Sequence, residues 1–342
     1  MKNAVKPFLK IIVCAVFLIS AGAPSQSFAQ ATNPEPATSL VDSTAYFKFY
    51  SNFWINLHHF LFKEAKDAEK DSANAAPFTD LFSGLSALEQ ETLKEALVYY
   101  QENLIDKDLL FNGRLFNIKR SLIRFEQAEN LKAEEIDPTF ITLLNQSKSI
   151  YEKHFWPSHH ERNQQTFKNN AVVLLKMEKQ AVERLAELTG TSWPPYKIRV
   201  DLSDYGSWAG AYTTNRPQTH IVTGTGGERL PGDWLETVFH EASHALIGGR
   251  RGRVSDIIQK SETTLGLKAP RQLWHSILFY ISGRVVQDLL LANGFETYEL
   301  YMVREKVFDK HLPYLKQHLE PYVLGQIELQ EAVERIISEA NK

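Results

Sequence analysis

The sequence predicts an α+β protein in which helix predominates, and three observations carry that prediction. Two long stretches, 40–190 and 253–340, space their apolar residues at a helical period. Between them, residues 196–224 hold three short runs rich in β-branched and aromatic residues, which read as a small sheet. The helical period then resumes at 233. A chain of 342 residues, 43% hydrophobic and 23% charged, is long enough and apolar enough to bury a large core.

Taken in order, the chain opens with Lys2, Lys6 and Lys10 and no acid, followed by the apolar run IIVCAVFLISAGA and the more polar PSQSFAQA. A basic start, a short apolar run and small residues at Ser27 and Ala29 describe a secretory signal over residues 1–29, cleaved after Ala29. The run of 13 residues is too short to span a bilayer. Cys14 follows Val13 inside that run, which excludes a lipoprotein site. The expectation is an exported chain, periplasmic or secreted. Removing the signal removes the single cysteine, so a metal site must use His, Asp or Glu. The 38 basic residues less those three lysines leave 35 against 41 acidic, a formal charge of −6. That balance excludes a nucleic-acid binder, which needs a basic face. No later apolar run has membrane-spanning length, so no membrane association is expected after cleavage.

Residues 30–190 read as a leader, QATNPEPATS, and then a helical region. YFKFYSNFWINLHHFLF is expected to be a helix burying Phe47, Phe53, Trp54 and Leu57. SALEQETLKEALVYYQENL begins with Ser86 and carries Glu89 three residues on, a capping box. Over 158–189, Phe167, Val172, Leu175, Met177, Val182 and Leu185 recur at roughly helical spacing, and Gly190 ends the run. The texture changes after TSWPPY (191–196). KIRVDLS, WAGAYTT and THIVTG are the three expected strands. The loop GTGGERLPGD lacks a phosphate-binding glycine pattern because Arg229 takes the last glycine's place, so it reads as a connection. Helices then run to 340, with breaks near Pro270, Gly294, Pro313 and Gly325.

The helix after that loop contains VFHEASHAL, Val238–Leu246. At about 100° per residue, with His240 at zero, His244 falls at about 40° and Glu241 at about 100°. Trp234, Leu235, Val238, Phe239, Ala242, Ala245 and Leu246 fall between roughly 120° and 260°. One face thus suits a core, and a narrow stripe suits chemistry; Gly248-Gly249 supply a stop. Two imidazoles one turn apart can both reach a zinc ion at about 2.0–2.1 Å. Glu241 points beside that ion, where it can take a proton from a water whose pKa zinc lowers to about 7.

HEASH on a helix that follows a short sheet resembles the zincin metallopeptidase superfamily, with a gluzincin-like layout. The likeness covers about 50 residues, Tyr196 to Gly249, and reaches the rest as general architecture. It implies one Zn²⁺ ion, His240 and His244 as ligands, Glu241 as general base, and a small antiparallel or mixed sheet beside the metal helix within a catalytic region, 191–342. The metzincin extension is absent, since Ile247 and Arg250 stand where its glycine and third histidine would be. Gluzincins take a glutamate from a later helix, and Glu262 lies near that distance, but among Lys260, Ser261, Thr263 and Thr264. His275 is the preferred third ligand. It lies on an apolar helix that Pro270 could start, among Trp274, Ile277, Leu278 and Phe279, where an imidazole needs a polar partner. The alternative is a core histidine bonded to a backbone carbonyl.

Other candidates have plainer readings. Tyr280 and Arg284 share the helix of His275 and could assist an oxyanion, against ordinary packing. His58 and His59 are expected at the edge of the aromatic helix. His154, His159 and His160 are expected to be exposed, and His220 to face solvent or a cleft rim. WAGAYTT (208–214) could be an edge strand pairing with an extended peptide, where Ala209, Gly210 and Ala211 admit another backbone; a strand inside the sheet is the alternative. The helical region before 190 is expected to wall the cleft. The leading expectation is an exported zinc-dependent peptidase acting on a peptide or protein. Its rivals are a zincin-like zinc-binding protein without activity and a metal-free helical interaction protein.

Overall fold

The sheet has five strands, two more than the sequence predicts. In this computed structural model the structure describes residues 39–70, 81–247 and 252–342. The expected signal over 1–29 and the Gly248-Gly249 stop lie outside the described residues. The strands are β1 (Leu40–Ser43), β2 (Phe47–Tyr50), β3 (Ile198–Ser203), β4 (Ala211–Thr214) and β5 (His220–Gly224). Their order is β1-β2-β3-β5-β4. β2, β3 and β5 are parallel, whereas β1 and β4 run antiparallel on the two edges. The sheet is therefore mixed.

β2 corrects the expectation of a helix through Phe47. FKFY alternates, so Phe47 and Phe49 are sealed in the core while Lys48 is exposed. That period of two needs strand geometry. The helix starts later, as α1 (Phe53–Lys70), burying Trp54 and Leu57 with Phe53 only partly covered.

Alternation gives each strand two faces. Phe47, Phe49, Ile198, Val200, Leu202 and Ile221 point to one side. There they meet α5 (Trp156–Thr189), α6 (Asp233–Ile247) and α8 (Leu273–Ala292). Tyr212 and Val222 point to the other side, against α1, α2 (Ala87–Asn103), α3 (Gly113–Arg124) and α4 (Pro138–His154). So α1–α4 cover the face of the sheet opposite the HEASH helix, whereas the sequence predicted that they would wall its cleft. From that early region α5 packs beside α6, and β2 reaches it through Phe47 on Phe239 and Phe49 on Trp234. Residues Thr38–Lys342 form one compact unit, so the boundary at 190 marks a change of sequence texture within one sheet-centred body.

Local signals hold where they were strongest. Ser86 and Glu89 make the reciprocal capping box of α2. Gly190, in the left-handed conformation, ends α5. On α5, Phe167, Met177, Val182 and Leu185 are buried, but Val172 and Leu175 are exposed, off the packed face. The C-terminal part continues through α7 (Arg253–Leu265), α8, α9 (Tyr301–Arg304), α10 (Leu312–Tyr314), a π-helical turn (Leu315–Leu319), α11 (Glu320–Val323) and α12 (Leu329–Ala340). The expected break near Pro313 is the turn 305–311 between α9 and α10; Pro313 itself lies in the first turn of α10, where its missing N–H costs nothing. Among the described residues no helix is long and apolar enough to cross a membrane.

Candidate metal centre

The core face of α6 is as its pattern requires: Trp234, Leu235, Val238, Phe239, Ala242 and Leu246 are buried, and Ala245 is half-buried. This fixes the rotation of the helix, so His240 and His244 face His275 of α8, while Glu241 sits on the side of Thr213 and Lys119. α8 crosses α6 closely at Gly283. A Cβ there would stand 2.8 Å from Glu236 Oε1 and 3.0 Å from Leu300 Cδ2. That tight crossing brings His275, two turns earlier on α8, to the histidines of α6.

One nitrogen from each of His240, His244 and His275 lies within 4.8 Å of the others. The Nε2 atoms of His240 and His275 are 3.4 Å apart, with the rings stacked at 5.4 Å and 19°. His240 Nδ1 lies 3.3 Å from the Ser282 hydroxyl, which orients the ring and leaves Nε2 facing the other two. Burial, reinforced by the neighbouring imidazoles, pulls His240 well below the usual histidine range. Burial, with the neighbouring His275, lowers His244 to about 3, and burial alone lowers His275 to about 4. All three are therefore neutral near pH 7, the form in which imidazole binds a metal.

Glu241 lies outside this set of donors, its Oε2 4.0 Å from His244 Nε2. Burial pushes its pKa up to about 7, against the Thr213 hydroxyl and the Lys119 ammonium, which pull it down. A carboxyl poised near neutrality beside metal donors suits a general base. Lys119 of α3 acts from the other face of the sheet: fully buried, it donates to the His220 carbonyl at 3.3 Å and sits 4.3 Å over the Tyr212 ring. β4 lies along α6, since Thr213 Oγ1 donates to the Glu241 carbonyl at 2.9 Å and Asn215 Nδ2 to that of His244 at 3.2 Å.

β4 is an edge strand, as one of the two sequence readings held. It is shorter than WAGAYTT. Gly210 precedes it at φ 78, in the left-handed region, so this glycine makes a turn. Its carbonyl accepts from Gly224 N at 2.7 Å, closing the turn onto β5.

Aromatic rings surround the triad; the sequence placed Trp274 and Phe279 near His275 and gave no sign of Phe308 or Tyr301. Phe279 lies against His240 at 3.9 Å, Trp274 stacks on His275 at 4.9 Å, and Phe308 meets His275 edge-on at 5.2 Å. Tyr301 stacks on Phe279 at 6.3 Å. All four rings remain partly exposed.

The remaining candidates lie elsewhere. Glu262 accepts from Ala269 N at 2.9 Å and takes no part in the triad, so the layout with a glutamate as third donor gives way to three histidines. Tyr280 donates to Glu320 at 2.7 Å and Arg284 is bound to the same carboxylate, on the side of α8 turned away from His275. His58 and His59 are fully buried, bonded to Tyr100 and Tyr212, not at a helix edge. His159 is buried against Tyr151, whereas His154 and His160 are half-buried, so none of the three is fully exposed. His220 is buried and lies 2.6 Å from Asp201, not at a rim. The chain matches no protein-family model, no curated protein and no solved structure.

Proposed function

We propose that this chain is an exported zinc-dependent peptidase of zincin type, hydrolysing peptide bonds in a peptide or protein substrate with Glu241 as general base. The observation that carries the reading is the convergence of three neutral imidazoles from two helices, with a carboxyl near neutrality beside them. Three nitrogen donors and an open fourth position are the pattern of catalytic zinc. The donor set contains no thiolate and no carboxylate, which favours a borderline ion such as zinc over calcium or magnesium. Zinc held there would lower the pKa of a water to about 7 and polarise the substrate carbonyl.

The chain's own groups do the rest. Glu241 accepts a proton as water oxygen adds to the carbonyl carbon. It returns that proton to the amine nitrogen as the carbon–nitrogen bond breaks, so no covalent enzyme intermediate is needed. Ser282 holds the His240 ring in place. Export rests on the basic and apolar residues of 1–29.

Glu241→Gln tests this reading. Zinc content stays at the wild-type level while the rate on a cleaved peptide falls on the order of 10²–10⁴-fold. An undiminished rate removes Glu241 from the chemistry. A wild type that holds zinc and cleaves nothing is the zinc-binding protein without activity.

A further inference from the structure

Arg199, Arg284 and Arg304 each lie against carboxylates: Arg199 on Asp201 and Glu126, Arg284 on Glu320, Arg304 on Asp233. Arg229 does not. Its Nη2 donates to the Gly210 carbonyl at 3.0 Å, and its Nη1 is shielded from water without an acceptor. Burial disfavours its charge, and Asp233, which attracts it, is already held by Arg304 at 2.6 Å. A cation withdrawn from water without an anion beside it is left uncompensated, which destabilises the fold.

Two routes connect Arg229 to the metal centre. Its Nη2 stands 2.9 Å from where a Cβ on Gly210 would be, and Tyr301 Oη is 3.8 Å from the same point. Tyr301 stacks on Phe279, and Phe279 lies tilted against His240. Along the strand, Gly210 precedes Thr213 by three residues, and Thr213 bonds the Glu241 carbonyl. At about 3.3 Å per residue that separation is about 10 Å.

We propose that Arg229, with Tyr301 beside it, binds a carboxylate of the substrate about three residues from the cleaved bond. The proposal rests on the peptidase reading and adds a substrate class to it. The carboxylate is then either the peptide's own terminus or an acidic side chain at that distance, and a guanidinium fork suits both.

Peptide pairs that differ only in a free or amidated C-terminus, and amidated peptides with Glu or Gln after the cleaved bond, separate the two sources. With zinc-loaded protein, the carboxylate member is expected to have a kcat/KM at least about tenfold higher, as a charge-assisted hydrogen bond supplies. Arg229→Lys reduces that ratio and Arg229→Met brings it to about one. A wild-type ratio near one in both series overturns the proposal, as does a ratio retained by Arg229→Met. Calorimetric binding of the same pairs to the Glu241→Gln protein reads the subsite without turnover. Equal affinities there overturn it too. Acid-selective binding that Arg229→Met abolishes, in a protein that cleaves nothing, upholds the subsite and overturns the peptidase reading instead.

Discussion

Glu236 sits one turn ahead of His240 on α6 with no exposure to water. It accepts from Tyr298 Oη at 2.6 Å and Tyr301 N at 2.9 Å, while its Oε1 has no partner among the described residues. Burial raises its pKa from 4.5 to about 7. The folded chain keeps a proton there that the unfolded chain has released, and stability falls with rising pH where the folded state binds more protons. The loss runs from about pH 4.5 to about pH 7 and amounts to something on the order of 3 kcal/mol. Glu236→Gln removes it. Urea denaturation at fixed zinc, at about pH 5 and about pH 7.5, is expected to show wild type losing more stability than the variant across the interval; equal losses contradict this. Glu236 was illegible in the sequence because an acid in the first turn of a helix is ordinary there. His240, Glu241 and His244 were legible because their spacing is that of one helical stripe. His275 stood out because a lone imidazole among Trp274, Ile277 and Leu278 needs a partner. Phe308 and Tyr301 gave no signal, since a ring beside a metal donor reads like any core aromatic. Whether Arg229 had a carboxylate depended on contacts across the fold.

Among the elements, the turn after α9 is the most constrained. Lys306 and Phe308 both adopt positive φ, 54° and 56°, without being glycine. Lys306 is exposed, whereas the Phe308 ring packs on His275 and stacks on His311 at 5.7 Å. The left-handed conformation costs roughly 1 kcal/mol for a side-chain-bearing residue. Lys306→Gly is therefore expected to raise thermal stability by about that amount. Phe308→Gly relieves the same backbone but loses the ring, and is expected to lower it. Shifts of the same sign in the two thermal melts contradict the account. β3, β4 and β5 were legible because β-branched runs stood between glycines and prolines. β1 and β2 were not, for LVDS and FKFY are four residues each and FKFY adjoins the aromatic start of α1. There Phe47, Phe53, Trp54 and Leu57 mimic helical spacing, and pairing with β3, about 150 residues away, decides otherwise.

At the scale of the molecule, one sheet joins the two sequence textures. Phe47, Phe49, Leu174, Met177 and Leu185, all before residue 190, are sealed in the core that α6 and α8 share. The region 191–342 expressed alone would leave β3 as an open edge and that core face uncovered. It is expected to be insoluble or to melt without a cooperative transition, and a folded, cooperatively melting fragment would refute the single-body description. The fold's central consequence is that α6 and α8 cross closely enough for one ion to take donors from both. Zinc content of the untagged protein, wild type beside His275→Ala, tests it most directly. The account predicts about one zinc per wild-type chain and little in the variant. A wild type without stoichiometric metal, or a variant that keeps all of it, contradicts it.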